Sequence, residues 1–291
     1  RPTQRPSSAA SDVYKRQIPL NLNCFRMKMQ TLHFEEFGEE GNPVFLCLHG
    51  LLGSNRNWRA VAKSLASSHQ VYTLDLRNHG NSFHSKDCSL AIMSDDLYSW
   101  INAHGKRKVI LCGHSLGGKV AMRFACDHPE RIEKLIVVDM APRSYPPEHH
   151  IPTFDAMLSL NLADLNSRKE ADQALSGLVP HWGFRQFLLA NLTHDGSNYC
   201  WKSNLSILRK SIENLSSNPL QGNDLFVGPA LFVRGGKSGY LRSENHSAIK
   251  RFFPSAKVEE LIDVGHDVHV EDREGFLKII RKFLNGSEFS S

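Results

Sequence analysis

Six consecutive residues, Gly113-His114-Ser115-Leu116-Gly117-Gly118, carry the clearest chemical signal in this chain. The apolar run from Lys108 to Cys112 before them reads as a buried strand. Lys119 to Ala125 after them has helical spacing, with Val120 and Phe124 on one face. A serine flanked by glycines at a strand-to-helix turn is the sequence form of a nucleophile elbow. The glycines two before and two after the serine let strand and helix pass closely, and glycine accepts a strained backbone. Ser115 is therefore expected on the bend, beside a helix N-terminus, with its hydroxyl exposed. A serine hydroxyl is a weak nucleophile alone. It needs an adjacent base, and the charge created by its attack needs N–H donors already in place. The competing reading is a glycine-rich turn with an incidental serine; the strand and helix on either side favour the nucleophile.

The elements that must position this serine can be read along the chain. With 291 residues there is room for one large α/β domain with an insertion, or for two small domains. Residues 1–27 are set apart: the first 17 are basic and polar without an apolar period, and read as a non-native adapter-like or a targeting segment. Apolar or alternating runs at 32–37, 44–48, 71–76, 108–112, 135–139, 229–234 and 257–262 read as strands. Helical spacing falls between most of them, for example near 57–66, 93–102, 243–253 and 273–284. Strands alternating with helices imply a parallel, doubly wound sheet, an α/β fold.

The rhythm changes at 143–224, which shows no strong strand and reads as all-helical. Such a stretch between two sheet strands is expected to sit over the sheet as a helical cap. It divides the core into a first part at 28–142 and a second at 225–286, with a short tail at 287–291. Most of Phe154, Leu158, Trp182, Phe184, Phe187, Leu188 and Trp201 are expected in the cap's own core, and some on an apolar underside suited to an acyl chain.

Composition excludes several functions. The net charge of +5 is spread without a basic stripe or interleaved aromatics, so nucleic acid is not an expected partner. No apolar run approaches the ~18 residues of a membrane span. The six cysteines form no C-x-x-C pair or zinc spacing and read as reduced thiols of an intracellular protein. His149-His150 has no third ligand at suitable spacing, so a metal site is not expected. Asp75 and Arg77 read as structural, and His79-Gly80 as a candidate pocket lining.

A family resemblance is carried by His49-Gly50 after the first long strand, the DxRxHGxS pattern from Asp75 to Ser82, GHSLGG, HPERI at 128–132 and Gly265-His266. With these strings, from about residue 30 to 285, the chain resembles the α/β-hydrolases. LRNHGNS, GHSLGGK, VVDMAP and RGGKSGYL are similar to the domain-containing-protein-11 and YbfF-type esterase branch of that family. The resemblance implies a mostly parallel sheet with a helical cap. It also implies a cofactor-independent serine esterase or thioesterase, whose small-molecule partner is an acyl ester or thioester. The eukaryotic branch is mitochondrial; the expected location is mitochondrial if a targeting peptide is present and otherwise cytoplasmic. The oligomeric state is not expressed in these strings.

On that fold the catalytic base should follow the last strand, and His266 does; His269, three residues on, is the competitor. The oxyanion donors should be the backbone N–H groups of Leu116 and Leu51. The acid departs from the common pattern. Lys237-Ser238 stands where an aspartate is usual, whereas Asp139 ends the preceding core strand and keeps the order serine, acid, histidine. Asp139 is expected as the acid and Ser238 as a supporting hydroxyl. Carbon–carbon bond hydrolysis, perhydrolysis and a purely ligand-binding role stay open as alternatives. Epoxide and haloalkane chemistry is disfavoured because the elbow holds serine rather than aspartate.

Overall fold

Each central strand is a continuous apolar run because both of its faces are covered. The computed structural model describes residues 31–286; the expected leader at 1–27 and tail at 287–291 lie outside the described residues. In chain order the first half holds β1 (Phe34–Phe37), β2 (Val44–Leu48), α1 (Arg59–Leu65), β3 (Gln70–Leu74), α2 (Leu90–Ala103), β4 (Val109–His114), α3 (Leu116–Asp127) and β5 (Ile132–Val138). An insertion follows, with α4 (Ile151–Leu158), α5 (Arg168–Leu175), α6 (Trp182–Leu189), β6 (Leu192–His194), β7 (Tyr199–Trp201), α7 (Leu205–Lys210) and α8 (Ile212–Ser216). The sheet then resumes with β8 (Ala230–Gly235), α9 (His246–Phe252), β9 (Ala256–Leu261), α10 (Val268–Glu271) and α11 (Arg273–Leu284).

Seven strands pair in the order β1-β3-β2-β4-β5-β8-β9, all parallel except β1, which runs antiparallel to β3. Strand alternation sorts the core into two layers. Phe45, Cys47, Ile110, Cys112, Ile136 and Val138 point to one face, where Trp58, Leu65, Phe276 and Ile280 cover them. Leu46, Leu48, Leu111, Leu135 and Val137 point to the other, against Met93, Leu97, Trp100, Val120 and Phe124. After β2 the chain moves to one side to form β3, then crosses to the other side of β2 to form β4. The loops following β2 and β4 therefore diverge at a topological switch point, the place where open α/β sheets bind ligands.

Local signals account for the element ends. Ser89 caps α2 by accepting the Ile92 N–H at 3.2 Å, and Asp272 caps α11 by accepting that of Gly275 at 2.9 Å. Buried Phe276, Leu277, Ile280 and Phe283 form the single apolar stripe of α11.

The insertion differs from its sequence reading in three respects. It contains a two-stranded antiparallel ribbon, β6–β7, turned by Asp195-Gly196; Gly196 has φ +106°, and Asp195 Oδ1 accepts the amides of Ser197 and Asn198. Strands of three residues are too short to show an alternation. Near its end the expected helical run is broken at Ser211 into α7 and α8. Leu158, Trp182 and Phe184 are exposed rather than packed in a core, whereas Phe154 and Leu188 are fully buried.

Candidate active site

The elbow is built by glycine. A Cβ on Gly113 would fall 2.2 Å from the Gly117 carbonyl, and one on Gly117 would fall 2.5 Å from that of Leu48. Between them Ser115 takes φ +52° and ψ −115°, a conformation costing about 1–3 kcal/mol, held by its N–H donating to the Val138 carbonyl at 3.1 Å. Leu116 is the first residue of α3. The first amides of a helix have no partner within it, and together with the helix dipole they favour negative charge.

The loop after β2 lies against this bend: a Cβ on Gly50 would sit 3.0 Å from His114 Nδ1 and 3.2 Å from Ser115 Cβ. His49 fixes the loop. Its Nε2 accepts the Leu76 N–H at 3.0 Å, so Nδ1 carries the proton and donates to the Gly50 carbonyl at 2.8 Å. Burial pushes His49 down to about 4 and keeps it neutral. Leu52 adopts φ +59°, and its carbonyl accepts the side-chain amide of Asn191, 139 residues away, at 2.7 Å.

Asp139 sits just beyond β5, wholly buried, with φ +47°. Its amide donates to the Val233 carbonyl at 2.8 Å, and its Oδ1 accepts the Gly235 N–H at 3.1 Å. Oδ2 accepts Nδ1–H of His266 at 2.7 Å and also a short hydrogen bond from the Ser238 hydroxyl. The loops carrying these groups are pressed together, since a Cβ on Gly235 would fall 1.9 Å from the Gly265 carbonyl. With Nδ1 committed to the carboxylate, Nε2 of His266 is the nitrogen left for chemistry. The Tyr240 ring stacks on the imidazole, centroids 3.9 Å apart and planes at 21°. His114 Nε2 donates to the His266 carbonyl at 3.0 Å; burial, then the neighbouring histidines, hold His114 well below its usual range and therefore neutral.

Ser115, Leu51 and His266 line one cleft of about 240 Å³, with Phe154, Phe184 and Phe187 from the insertion on its walls. His269 also borders it, but lies buried in α10, stacked on Trp58 at 4.1 Å and pushed down to about 3 by burial; neither of its ring nitrogens has a hydrogen-bond partner among the described residues. His79 and Gly80 do not border the cleft, contrary to the sequence expectation. His79 is buried, and a Cβ on Gly80 would fall 2.2 Å from the Asp75 carboxylate. That carboxylate accepts the amides of Asn55 and Asn81, and Arg77 holds Asp96 at 2.5 Å and the Asp87 carbonyl at 2.7 Å. Both residues fasten backbone.

Three side chains at the site carried no role in the sequence reading: Tyr240, Asn191 and Lys119. Tyr240 and Lys119 stand inside the strings RGGKSGYL and GHSLGGK, so their presence was visible and their contacts were not.

A parallel sheet with a serine on a strained elbow, facing a cleft shared with a carboxylate-bound histidine, defines the α/β hydrolases. Residues 43–189 match the family model for the alpha/beta hydrolase fold, and the chain belongs to that family. Among its relatives, the mouse sn-1-specific diacylglycerol lipase ABHD11 is 35% identical, covering 96% of this chain and 89% of that protein. Esterase YbfF of Escherichia coli is 30% identical over 85% of this chain and 95% of its own. A solved structure, a marine microorganism esterase, superposes with a TM-score of 0.85 at 34% identity, covering 87% of this chain and 99% of that one. The protein is an esterase/lipase-like hydrolase of this family. Among the described residues no helix is long and apolar enough to cross a membrane.

Proposed function

We propose that this protein is a serine hydrolase that cleaves carboxylic ester or thioester bonds of acyl or lipid-like substrates through an acyl-enzyme. Ser115 Oγ attacks the carbonyl carbon while His266 Nε2 takes the hydroxyl proton. The resulting oxyanion is met by the amides of Leu116 and Leu51, preset by α3 and the loop after β2. Asp139 keeps the imidazole in the Nδ1–H tautomer and stabilises its positive charge without itself taking the proton. Collapse breaks the C–O or C–S bond, and His266 returns its proton to the leaving alcohol or thiol. Water, deprotonated by His266, then attacks the acyl-enzyme and releases the acid and Ser115. Ser238 steadies Asp139, and residues 143–224 act as the cap over the cleft.

The observation that carries this reading is the 2.7 Å contact between Asp139 Oδ2 and His266 Nδ1 in a cleft that Ser115 shares. Relatives named as an esterase and a diacylglycerol lipase support the substrate class. Labelling with a fluorophosphonate, followed by turnover of matched oxygen esters and thioesters, tests it; a chain that neither labels nor hydrolyses either class refutes it. The location belongs to the same proposal: mitochondrial where a targeting segment is present, cytoplasmic otherwise, read by imaging the tagged full chain.

A further inference from the structure

Two cavities meet at Ser115. The cleft of about 240 Å³ includes His266, Asp267 and His114 in its lining. A second, smaller pocket of about 30 Å³ lies between the elbow and the end of the insertion, walled by Leu116, Met140, Tyr145, Ile212 and Leu215. Ser115, Leu51, His150 and Tyr240 border both; His266 borders only the cleft, and Leu116 only the pocket. The wall made by α8 is anchored from below. Lys119, almost wholly buried, donates from Nζ to the carbonyls of Leu215 at 3.2 Å, Ser216 at 2.7 Å and Ser217 at 2.7 Å. Three carbonyl acceptors match the three N–H donors of the ammonium form, while burial and then Arg143 lower the Lys119 pKa to about 7.

The proposed reaction assigns sides to these cavities. The leaving oxygen or sulfur receives its proton from His266 Nε2, so that half of the substrate lies where His266 is. The carbonyl oxygen points to the amides of Leu51 and Leu116. The remaining substituent on the carbonyl carbon is the acyl chain, and the second space at Ser115, the one His266 does not border, is the small pocket. We propose that this pocket holds the acyl chain and that Ile212 and Leu215 set its length, while the larger cleft takes the alcohol or thiol. The inference rests on the serine-hydrolase reading and specifies its substrate class: a short acyl group on a bulkier leaving group. The leaving group has both apolar and polar neighbours, since Asn57, Thr153, His149 and His150 share the cleft with the three phenylalanines. Lys119 is a positioning residue that holds α8 as the pocket wall.

The test measures kcat/KM for p-nitrophenyl esters from acetate to dodecanoate, and for butyrate esters of alcohols of increasing size. The wild type is expected to favour short acyl groups and to tolerate large alcohols. Leu215→Ala should extend the preferred acyl chain by about three carbons, the number removed from the side chain, and leave the alcohol series unchanged. Ile212→Phe should lower butyrate relative to acetate about tenfold, within the range that one or two methylenes command in an apolar pocket. Phe184→Ala, in the cleft, should alter the alcohol series and leave the acyl profile unmoved. Lys119→Met should flatten the acyl profile without changing the alcohol series; thermal melts establish that each variant is folded. An acyl profile that shifts with Phe184→Ala and not with the α8 variants overturns the assignment. So does a labelled, active enzyme whose profile none of the pocket variants moves. A wild type that neither labels with fluorophosphonate nor turns over any ester refutes the hydrolase reading itself, which separates the two failures.

Discussion

Asp139 and His266 stand 127 residues apart in the chain, yet Oδ2 of one lies 2.7 Å from Nδ1 of the other. The same carboxylate oxygen also accepts the hydroxyl of Ser238. An amide in place of the carboxylate keeps the shape and permits the wrong imidazole tautomer. Asp139→Asn is therefore expected to fold and to lose about 10⁴ in turnover. Ser238→Ala removes one hydrogen bond to a charged group, worth about 1.5–3 kcal/mol at most, and leaves the His266 contact in place; a far milder loss is expected. Turnover of the two variants, with melting curves alongside, decides between them as the acid. A nearly active Asp139→Asn enzyme would take Asp139 out of the triad.

Ser115→Ala removes the proposed nucleophile from a bend that the flanking glycines maintain. Covalent labelling by fluorophosphonate should vanish and turnover should drop by about 10³-fold or more, with thermal stability little changed. Labelling that persists on another serine, mapped by peptide mass, would contradict the assignment.

Asn191 reaches from the insertion to the Leu52 carbonyl at 2.7 Å, and its own Oδ1 accepts the Ser203 hydroxyl at 3.0 Å. The loop it holds includes Leu51. Asn191→Ala should loosen Leu51, the proposed oxyanion donor, and reduce kcat about fivefold to tenfold, the scale of one hydrogen bond, with a smaller change in KM. An effect confined to KM would mean that Asn191 serves substrate binding instead.

Acid should unfold this protein through histidines buried in the neutral form. Burial lowers His49 to about 4, and His79 and His269 to about 3, from an ordinary 6.5. Between those values and 6.5 the unfolded chain binds protons that the folded chain refuses. Stability should therefore be full above pH 6.5 and fall as pH drops toward 3, each such histidine adding up to about 1.4 kcal/mol per pH unit to the slope. Urea titrations from pH 7 to 4 measure this. His269→Phe, which keeps the stack on Trp58, should make the slope shallower; a stability that stays flat over that range would show that these rings are protonated in the fold.

Much of the fold, and a set of candidates for the site, are legible in the sequence alone. Runs such as Val44–Leu48 and Leu135–Val138 are apolar at every position because helices cover both faces of the sheet, and that pattern is a property of composition along the chain. The elbow is equally local: two glycines and a serine within five residues determine a bend in which a Cβ at either glycine would clash with backbone. The ribbon at β6–β7 was missed because three-residue strands carry no period. Phe184 lines the cleft and Trp182 is exposed outside its lining; an apolar residue in either place has the same sequence signature as one in a core.

The sequence by itself determined the elbow that carries Ser115, most of the order of strands and helices along the chain, and a short set of candidates for acid and base. Local backbone geometry and side-chain periodicity act over a few residues, and these features need nothing more. The pairing of Asp139 with His266, the burial of His269 against Trp58, and the reach of Asn191 and Lys119 across the insertion were decided only by the tertiary structure. Such contacts depend on which strands become neighbours, here β5 beside β8, and on where the insertion returns to the sheet. No spacing within the chain records that choice, because it is made by the packing of two complete apolar layers at once.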